Sequence, residues 1–490
     1  MREAEVAPGE IIPAAVPAAI PASVPAAVPV GRFVSGSILR HVVVMSATGS
    51  VGLMAVFLVD LFSLLYVSKL GDPALTAGVG FAAVVQFFAI AINIGLMIAA
   101  GALVARAIGE GDEPGARRIA ASASVLGLIA SALLVVLLLA VLDPLLEAIG
   151  ADDHTLPVAR RLLWIALPSN LLMGPGMLFS GLLRSIGAAR EAMYVTLGGA
   201  IVTALVDPVL IFALGLGVDG AALATCLARA TFLAVGWRGV TRHRMLDRPT
   251  VATVVDDTGT IVRIAVPAVL TNLAPAVASA FVAHAVSRFG THAVAANVVI
   301  DRLSPVAFCG LFALSGAIGP ILGQNWGARR FDRMRGILTT GILVTAGYVG
   351  AIWAILVLLR APILGLFGLE GVAADLFAFF CLVSGGVWFF NGLLFLSNAS
   401  FNNLGFPLMS TALNWGRATV GTIPPALLGA AWYGPKGVIA GIGAGSFAFG
   451  LAAIVLAFRT IDTLERRAAP PAPVDVGLGA DPAAAVQSPG

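Results

Sequence analysis

The stretch VSKLGDPALTA at residues 67–77 is answered by VSRFGTHAVAA at residues 286–296, and the register that aligns them carries over most of residues 60–225. Along that register Gly109 meets Gly327. Gly187 in RSIGAA (184–189) meets Gly405 in NNLGFP (402–407), and Gly217 and Gly220 meet Gly434 and Gly437. The acids do not follow. Asp60 falls against Ser279, and the Asp207-Pro208 pair falls against Pro424-Pro425. The two halves therefore share an architecture but not their titratable groups.

The chain has 490 residues, 59% hydrophobic and 11% charged, far from the roughly 25% charged residues of a soluble domain. It reads as an all-α integral membrane protein. Apolar runs that reach the ~20 residues needed to cross a bilayer fall near 41–66, 75–105, 115–142, 156–181, 191–215, 220–240, 260–286, 293–324, 334–359, 372–400, 407–432 and 437–460. The long runs at 75–105 and 293–324 leave room for kinks. Twelve transmembrane helices are expected, six per half. An even number in each half gives both copies the same orientation, as in parallel repeats related by an axis along the membrane normal.

Basic residues support that count, because Lys and Arg gather in cytoplasmic loops. With both termini cytoplasmic, Arg2, Arg32, Arg40, Arg184, Arg190, Arg459, Arg466, Arg467 and the loops 106–118, 238–263 and 329–335 place their charges inside. Only Lys69, Arg160, Arg161, Arg288, Arg360 and Lys436 fall outside. A miscounted helix would invert every later loop. The expected organisation is an Ala/Pro-rich cytoplasmic tail at 1–35, an amino-terminal six-helix lobe at 36–245, a carboxy-terminal six-helix lobe at 246–465 and a second tail at 466–490. Prolines at 13, 17, 21, 25 and 29 break the first tail too often for a signal-peptide apolar run, and both tails read as disordered.

The net charge of +3 is spread over these loops and marks topology, so no nucleic-acid partner is expected. Cys226, Cys309 and Cys381 fall inside helices without CxxC spacing and read as small packing residues. No phosphate-cradling GxxxxGK[ST], HExxH, GxSxG or Cys/His metal cluster is present. Neither an enzyme nor an ATP-driven pump is expected, and transport would have to run on an ion gradient.

Charges inside the spans are costly, about 2.5–3.5 kcal/mol each at a helix centre on insertion scales, and need a reason. In the first half these are Asp60, Asp207 and Arg229, all on the outer side of the membrane by loop counting. Asp60 and Asp207 could line one outward-facing cavity and there bind a proton, a sodium ion or a cationic substrate. Pro208 removes a backbone donor beside Asp207, which leaves local hydrogen bonding open as the alternative. Thr225 precedes Arg229 by one turn on the same face and could join it and Asp207 in a network. In the second half Asp301 and Arg302 are adjacent, so they point in different directions and need separate partners.

The stretches VDLFSLLYVSKLGDPALTAGVG (59–80), GALVARAIGEGD (101–112), LLRSIGAARE (182–191), LVDPVLIFALGLGVDGAALAT (205–225) and GPILGQNWGARR (319–330) closely resemble the multidrug and toxic compound extrusion (MATE) transporters. The resemblance covers about residues 35–462. It implies two six-helix lobes in the plasma membrane, the inner membrane where a cell has two, with alternating access between them. It further implies export of organic cations or amphiphiles against inward flow of protons, or of sodium, with no cofactor and a monomer as the working unit. Asp60 matches the family's acid on helix 1, Asp207 its acid on helix 5 and Thr225 its threonine on helix 6. Together they make a cation-coupling site in the first lobe. Thr203 stands where many relatives have asparagine, Val56 where some have tyrosine, and Arg229 where an uncharged polar residue is usual. No acid lies near Pro275, where a sodium-coupled branch carries a glutamate. The chain is in this respect more similar to the DNA-damage-inducible branch. Arg229, Arg302 and Arg417 keep a flippase for a lipid-linked precursor as the alternative.

Overall fold

The computed structural model describes residues 31–468. Of the expected tails at 1–35 and 466–490, residues 1–30 and 469–490 lie outside these residues, while 466–468 continue the last helix rather than a tail. The described chain runs α1 (Ile38–Ser68), α2 (Pro73–Glu110), α3 (Glu113–Ala140), α4 (Leu142–Ala148), α5 (Leu156–Ala166), α6 (Asn170–Ser185), α7 (Ala189–Pro208), α8 (Gly217–Arg242), α9 (Val251–Ser287), α10 (Thr291–Ala307), α11 (Cys309–Gly327), α12 (Phe331–Phe367), α13 (Gly371–Leu404), α14 (Pro407–Ala418) and α15 (Ile423–Ala468). Side-chain caps start several of them: Asp72 accepts from the Ala74 amide at 2.8 Å and Asp112 from Gly115 at 2.9 Å, while Thr250 and Thr253 form a reciprocal capping box.

Nine helices among the described residues are long and apolar enough to cross a membrane, or up to eleven if each of two bent pairs is one span. The pairs are α5 with α6, bent by 57°, and α10 with α11, bent by 41°. Proline accounts for both bends, since Pro168 and Pro305 have no N–H to give and crowd the carbonyl four residues back. The repeats break at different places: α2 is one continuous helix where its counterpart α10–α11 breaks, and α13 is continuous where α5–α6 breaks.

One of the nine runs, Pro407–Ala468, spans 62 residues. As a straight helix it would be about 93 Å long, three times the ~30 Å hydrocarbon core. It is instead a hairpin. Tyr433 (φ −131°) and Gly434 (φ 59°) leave helical geometry, and Gly421 then lies on Gly445, Pro425 on Gly441 and Gly429 on Gly437, so closely that a Cβ on Gly437, Gly441 or Gly445 would strike the facing carbonyl.

The repeated glycines serve the same purpose in both copies. Gly71 and Gly290, Gly187 and Gly405, and Gly217 and Gly434 all adopt positive φ at turns, a region that side chains disfavour. Gly109 and Gly327 touch across the molecule instead: a Cβ on Gly109 would strike the Gln324 backbone, and one on Gly327 the backbone of Arg106 and Glu110.

Packing between helices follows a two-fold pattern. α1 packs on α7 and α11, its counterpart α9 packs on α14 and α2, and α2 meets α11 at the centre. The ends that carry residues 111–112, 186–188, 243–250, 328–330 and 405–406 form one face of the molecule, which holds most of the arginines and is here termed the basic end. α1 starts there and α15 finishes there, where Arg335 at the start of α12 pairs with Asp462 and Glu465. At the opposite end Arg160, Arg161 and Lys436 are matched by Asp143, Asp219 and Asp375, which offsets the few positive charges there.

The lobes join at the basic end. One buried cluster there unites Phe33, Val42 and Met45 with Leu314, Ile318, Met334 and Phe401 of the second lobe, and another unites Ala100, Val104 and Leu182 with Ile261 and Ala265. Asp257 of α9 accepts from Ser122 Oγ of α3 at 2.7 Å and pairs with Arg118 at 3.2 Å. At the opposite end the buried clusters stay within one lobe, drawing on residues 66–222 or on residues 281–442.

Residues 31–35, assigned by sequence to a disordered tail, are instead wedged across the basic end. Phe33 and Val34 are buried. Phe33 N donates to Gln324 Oε1 (2.9 Å), its carbonyl accepts from Asn325 and Arg333 (3.1 Å each), and Arg32 donates to Gly187 O (2.9 Å). Composition misled here: an Ala/Pro-rich tail gives way at Gly31 to a segment whose value lies in backbone groups that only the assembled lobes can satisfy.

Candidate functional site: paired acids at the floor of the lobe interface

Asp60 lies on α1 one turn beyond Phe57, whose ring meets Phe312 of the second lobe at a centroid distance of 6.2 Å. It is exposed and stands within electrostatic reach of Asp207 on α7 and of Arg302 on α10. Two acids of one lobe and one cation of the other therefore share a region just beyond the sealed half of the interface. α1 and α7 can hold the acids together because they pack along one another, with Gly52 of α1 seated on Met193 and Thr196 of α7.

Asp207 is 1% exposed, and neither carboxyl oxygen has a hydrogen-bond partner among the described residues. Ser63, one turn past Asp60, brings its hydroxyl toward this carboxyl without completing a well-formed hydrogen bond. The local backbone explains how the site stays open. Pro208 has no N–H to donate, and the chain then widens into a π-turn over Val209–Ala213, an irregularity that a bundle interior tolerates and functional sites often use. A buried carboxylate costs several kcal/mol unless it is neutralised or paired. The arrangement thus suits a proton or a small cation.

The other sequence-nominated residues are arranged differently. Arg229 is buried and satisfied within its own lobe, donating to Ala166 O at 2.8 Å, to Ser169 Oγ at 3.0 Å and to Gln86 Oε1. Two of these acceptors, on Ala166 and Ser169, sit at the break between α5 and α6, so Arg229 satisfies groups that Pro168 and the bend leave free. Cys226, one turn earlier, gives its thiol to Ile165 O at 3.4 Å. The Thr225 hydroxyl returns to Ala221 O (3.0 Å) and that of Thr203 to Gly199 O (3.1 Å), each on its own helix. The structure therefore does not join Thr225, Arg229 and Asp207 in one hydrogen-bonded network. Asp301 accepts from Asn297 Nδ2 at 3.0 Å on its own helix and forms no ion pair with Arg302 among the described residues. Among the described residues no group of three or more His, Cys, Asp or Glu could hold a metal ion.

Sequence reasoning passed over Ser63, Gln86, Gln324 and Arg184. A single polar residue in an apolar helix carries no spacing signal of its own. GPILGQNWGARR offered one hint, since Gln324 binds both Phe33 N and Ser185 O (2.7 Å) and so ties the lobes together.

The profile of the MatE family matches residues 50–209 and 267–428, more than half of the chain and one match in each lobe. The chain belongs to this family. Its members are transporters, and a MATE protein with many apolar helices is a multi-pass membrane protein. A FAD transporter of Shewanella oneidensis is 27% identical over 443 residues, covering 88% of this chain and 97% of that protein. DNA damage-inducible protein F of Escherichia coli is 28% identical over 173 residues, 35% of this chain and 37% of that one. The structure of an outward-facing multidrug resistance MATE family transporter of the MOP superfamily superposes with a TM-score of 0.82 at 23% identity, covering 89% of this chain and 98% of that one. The last similarity concerns the fold.

Proposed function

We propose that this chain is a secondary active exporter of organic cations and amphiphilic compounds, driven by protons or sodium entering at Asp60 and Asp207. It works in the plasma membrane with twelve spans, counting each bent pair once and the Pro407–Ala468 hairpin twice, and with both termini in the cytoplasm. The basic end is then the cytoplasmic side by the positive-inside rule. The shared cores at that end and the separate cores at the other support an outward-facing state.

The observation that carries this reading is the buried Asp207 carboxyl, unpartnered on both oxygens and close to Asp60. A proton or cation arriving from outside would neutralise it. The coupling requires that the ion bind the two lobe arrangements unequally, since equal binding shifts no equilibrium. The test is ethidium efflux from proteoliposomes under imposed proton or sodium gradients. Asp207→Asn protein should insert and fold but lose gradient-driven efflux; wild-type rates in that variant would sink the assignment. Arg302 beside Asp60 favours a second reading in which the cargo also includes anionic amphiphiles. The name of the Shewanella oneidensis relative, a transporter of a phosphate-bearing dinucleotide, points the same way.

A further inference from the structure

Arg184 closes the last turn of α6 at the basic end, and neither the helical packing nor the paired acids account for it. It is partly buried, and among the described residues it forms no ion pair. Its one hydrogen bond runs from Nη2 to the sulfur of Met97 at 3.0 Å, a weak acceptor for a guanidinium. Arg335 and Arg333 at the same end, by contrast, bind carboxylates and backbone carbonyls.

The surroundings of Arg184 are a seam between lobes. A Cβ on Gly316 of α11 would come within 3.4 Å of Nη1, and Gly49 of α1 lies against Ala313 of α11. Beside the guanidinium is a cavity of about 20 Å³, lined also by Met45, Gly49, Leu53, Met193 and Thr196. That volume holds roughly one water molecule. A substrate cannot enter it in this state, and the obstacle is α11 of the other lobe. If the lobes part at the basic end, α11 withdraws. The guanidinium then faces the cytoplasmic vestibule between Met45, Met97 and Met193, thioether side chains that adapt to varied apolar bodies.

We propose that Arg184 is the anchor of an inner binding site for an amphiphile bearing a phosphate or carboxylate, occupied when the transporter opens to the cytoplasm. The planar guanidinium offers paired donors that match such an anion, and the closed state denies them a good acceptor. The site is separate from the acid pair on α1 and α7, so anionic cargo and coupling cation are held by different groups. The inference rests on the alternating-access reading above.

Equilibrium dialysis of the purified full chain with 4-methylumbelliferyl phosphate and with neutral 4-methylumbelliferone tests it, since the two probes share one ring system. Wild type should bind the phosphate about tenfold more tightly, the scale of one charge-assisted contact. In Arg184→Gln protein the ratio should fall toward one, and Arg184→Lys should retain part of it. A misfolded variant would lose both probes together, and so the ratio isolates the anion contact. Wild-type protein without discrimination, or Arg184→Gln protein that keeps the ratio, would overturn the proposal. Failure of the antiport reading shows elsewhere, as gradient-driven ethidium efflux that survives Asp207→Asn.

Discussion

Replacing Gly109 with Ala should change which way the transporter faces and leave each lobe intact. The added Cβ would stand 2.7 Å from the Gln324 carbonyl carbon and 2.8 Å from its Cα, besides colliding with the carbonyl oxygen. These are backbone atoms of the other lobe and cannot rotate away, so relief requires the lobes to move apart. Overpacking of this kind costs roughly 1–3 kcal/mol. If the cost falls only on the arrangement closed at the basic end, it changes the closed-to-open ratio by roughly 5- to 150-fold, at 1.4 kcal/mol per factor of ten. Gly445→Ala is the control, because its Cβ meets the Gly421 carbonyl within the α15 hairpin of one lobe and should lower thermal stability instead. The assay is electron–electron distance measurement between spin labels at Arg190→Cys and Arg330→Cys, with Cys226, Cys309 and Cys381 changed to Ala. Gly109→Ala should add a longer-distance population, whereas Gly445→Ala should not. An unaltered distance distribution for Gly109→Ala, with a fall in melting temperature like that of Gly445→Ala, would refute the assignment of Gly109 to the moving seam.

Three further outcomes are expected. Asp257→Asn removes the charged acceptor of Ser122 and the partner of Arg118. It should raise the longer-distance population in the same labelled background, at a cost of about 1–3 kcal/mol to the closed arrangement. Arg229→Met leaves the Ala166 carbonyl, the Ser169 hydroxyl and the Gln86 side-chain oxygen without their donor; thermal unfolding followed by tryptophan fluorescence should show a loss of about 1–3 kcal/mol, while a variant as stable as wild type would mean that the guanidinium is not needed at the bend. Arg333→Ala deletes donors to the carbonyls of Phe33, Ser35 and Gly36, so limited trypsin treatment should cut at Arg32 several times faster than in wild type.

Much of the fold could be read from one repeat and one charge bias. The glycine pairs are legible because a positive φ or a backbone-to-backbone contact excludes every side chain, and such a demand marks the sequence at single positions. Asp60 and Asp207 were legible for the opposite reason, since an acid in an apolar span stands out by its cost. The role of Arg229 was not. The same rarity that drew attention to it suggested a partnership with Asp207, whereas two of its acceptors, the Ala166 carbonyl and the Ser169 hydroxyl, lie at a bend set by Pro168, some sixty residues away in the chain. Gly31–Gly36 was not legible, because the contacts that fix it, main-chain groups of Phe33 and Gly36 and the buried Phe33 ring, all need partners on distant helices.

The sequence by itself determined that this is a helical membrane protein built from a repeated half, with Asp60 and Asp207 of the first copy unmatched by acids in the second. Hydrophobic run length, loop charge and the replayed glycines are local properties, each fixed by a single element meeting lipid, water or a tight turn. Tertiary structure decided which end of the molecule is sealed, that α1 and α7 bring Asp60 and Asp207 together with Arg302 of the other lobe, and that Arg184 lies at the seam with no carboxylate partner among the described residues. Those facts depend on contacts between residues one to three hundred positions apart, and a side chain's partner at that range is set by how whole helices pack.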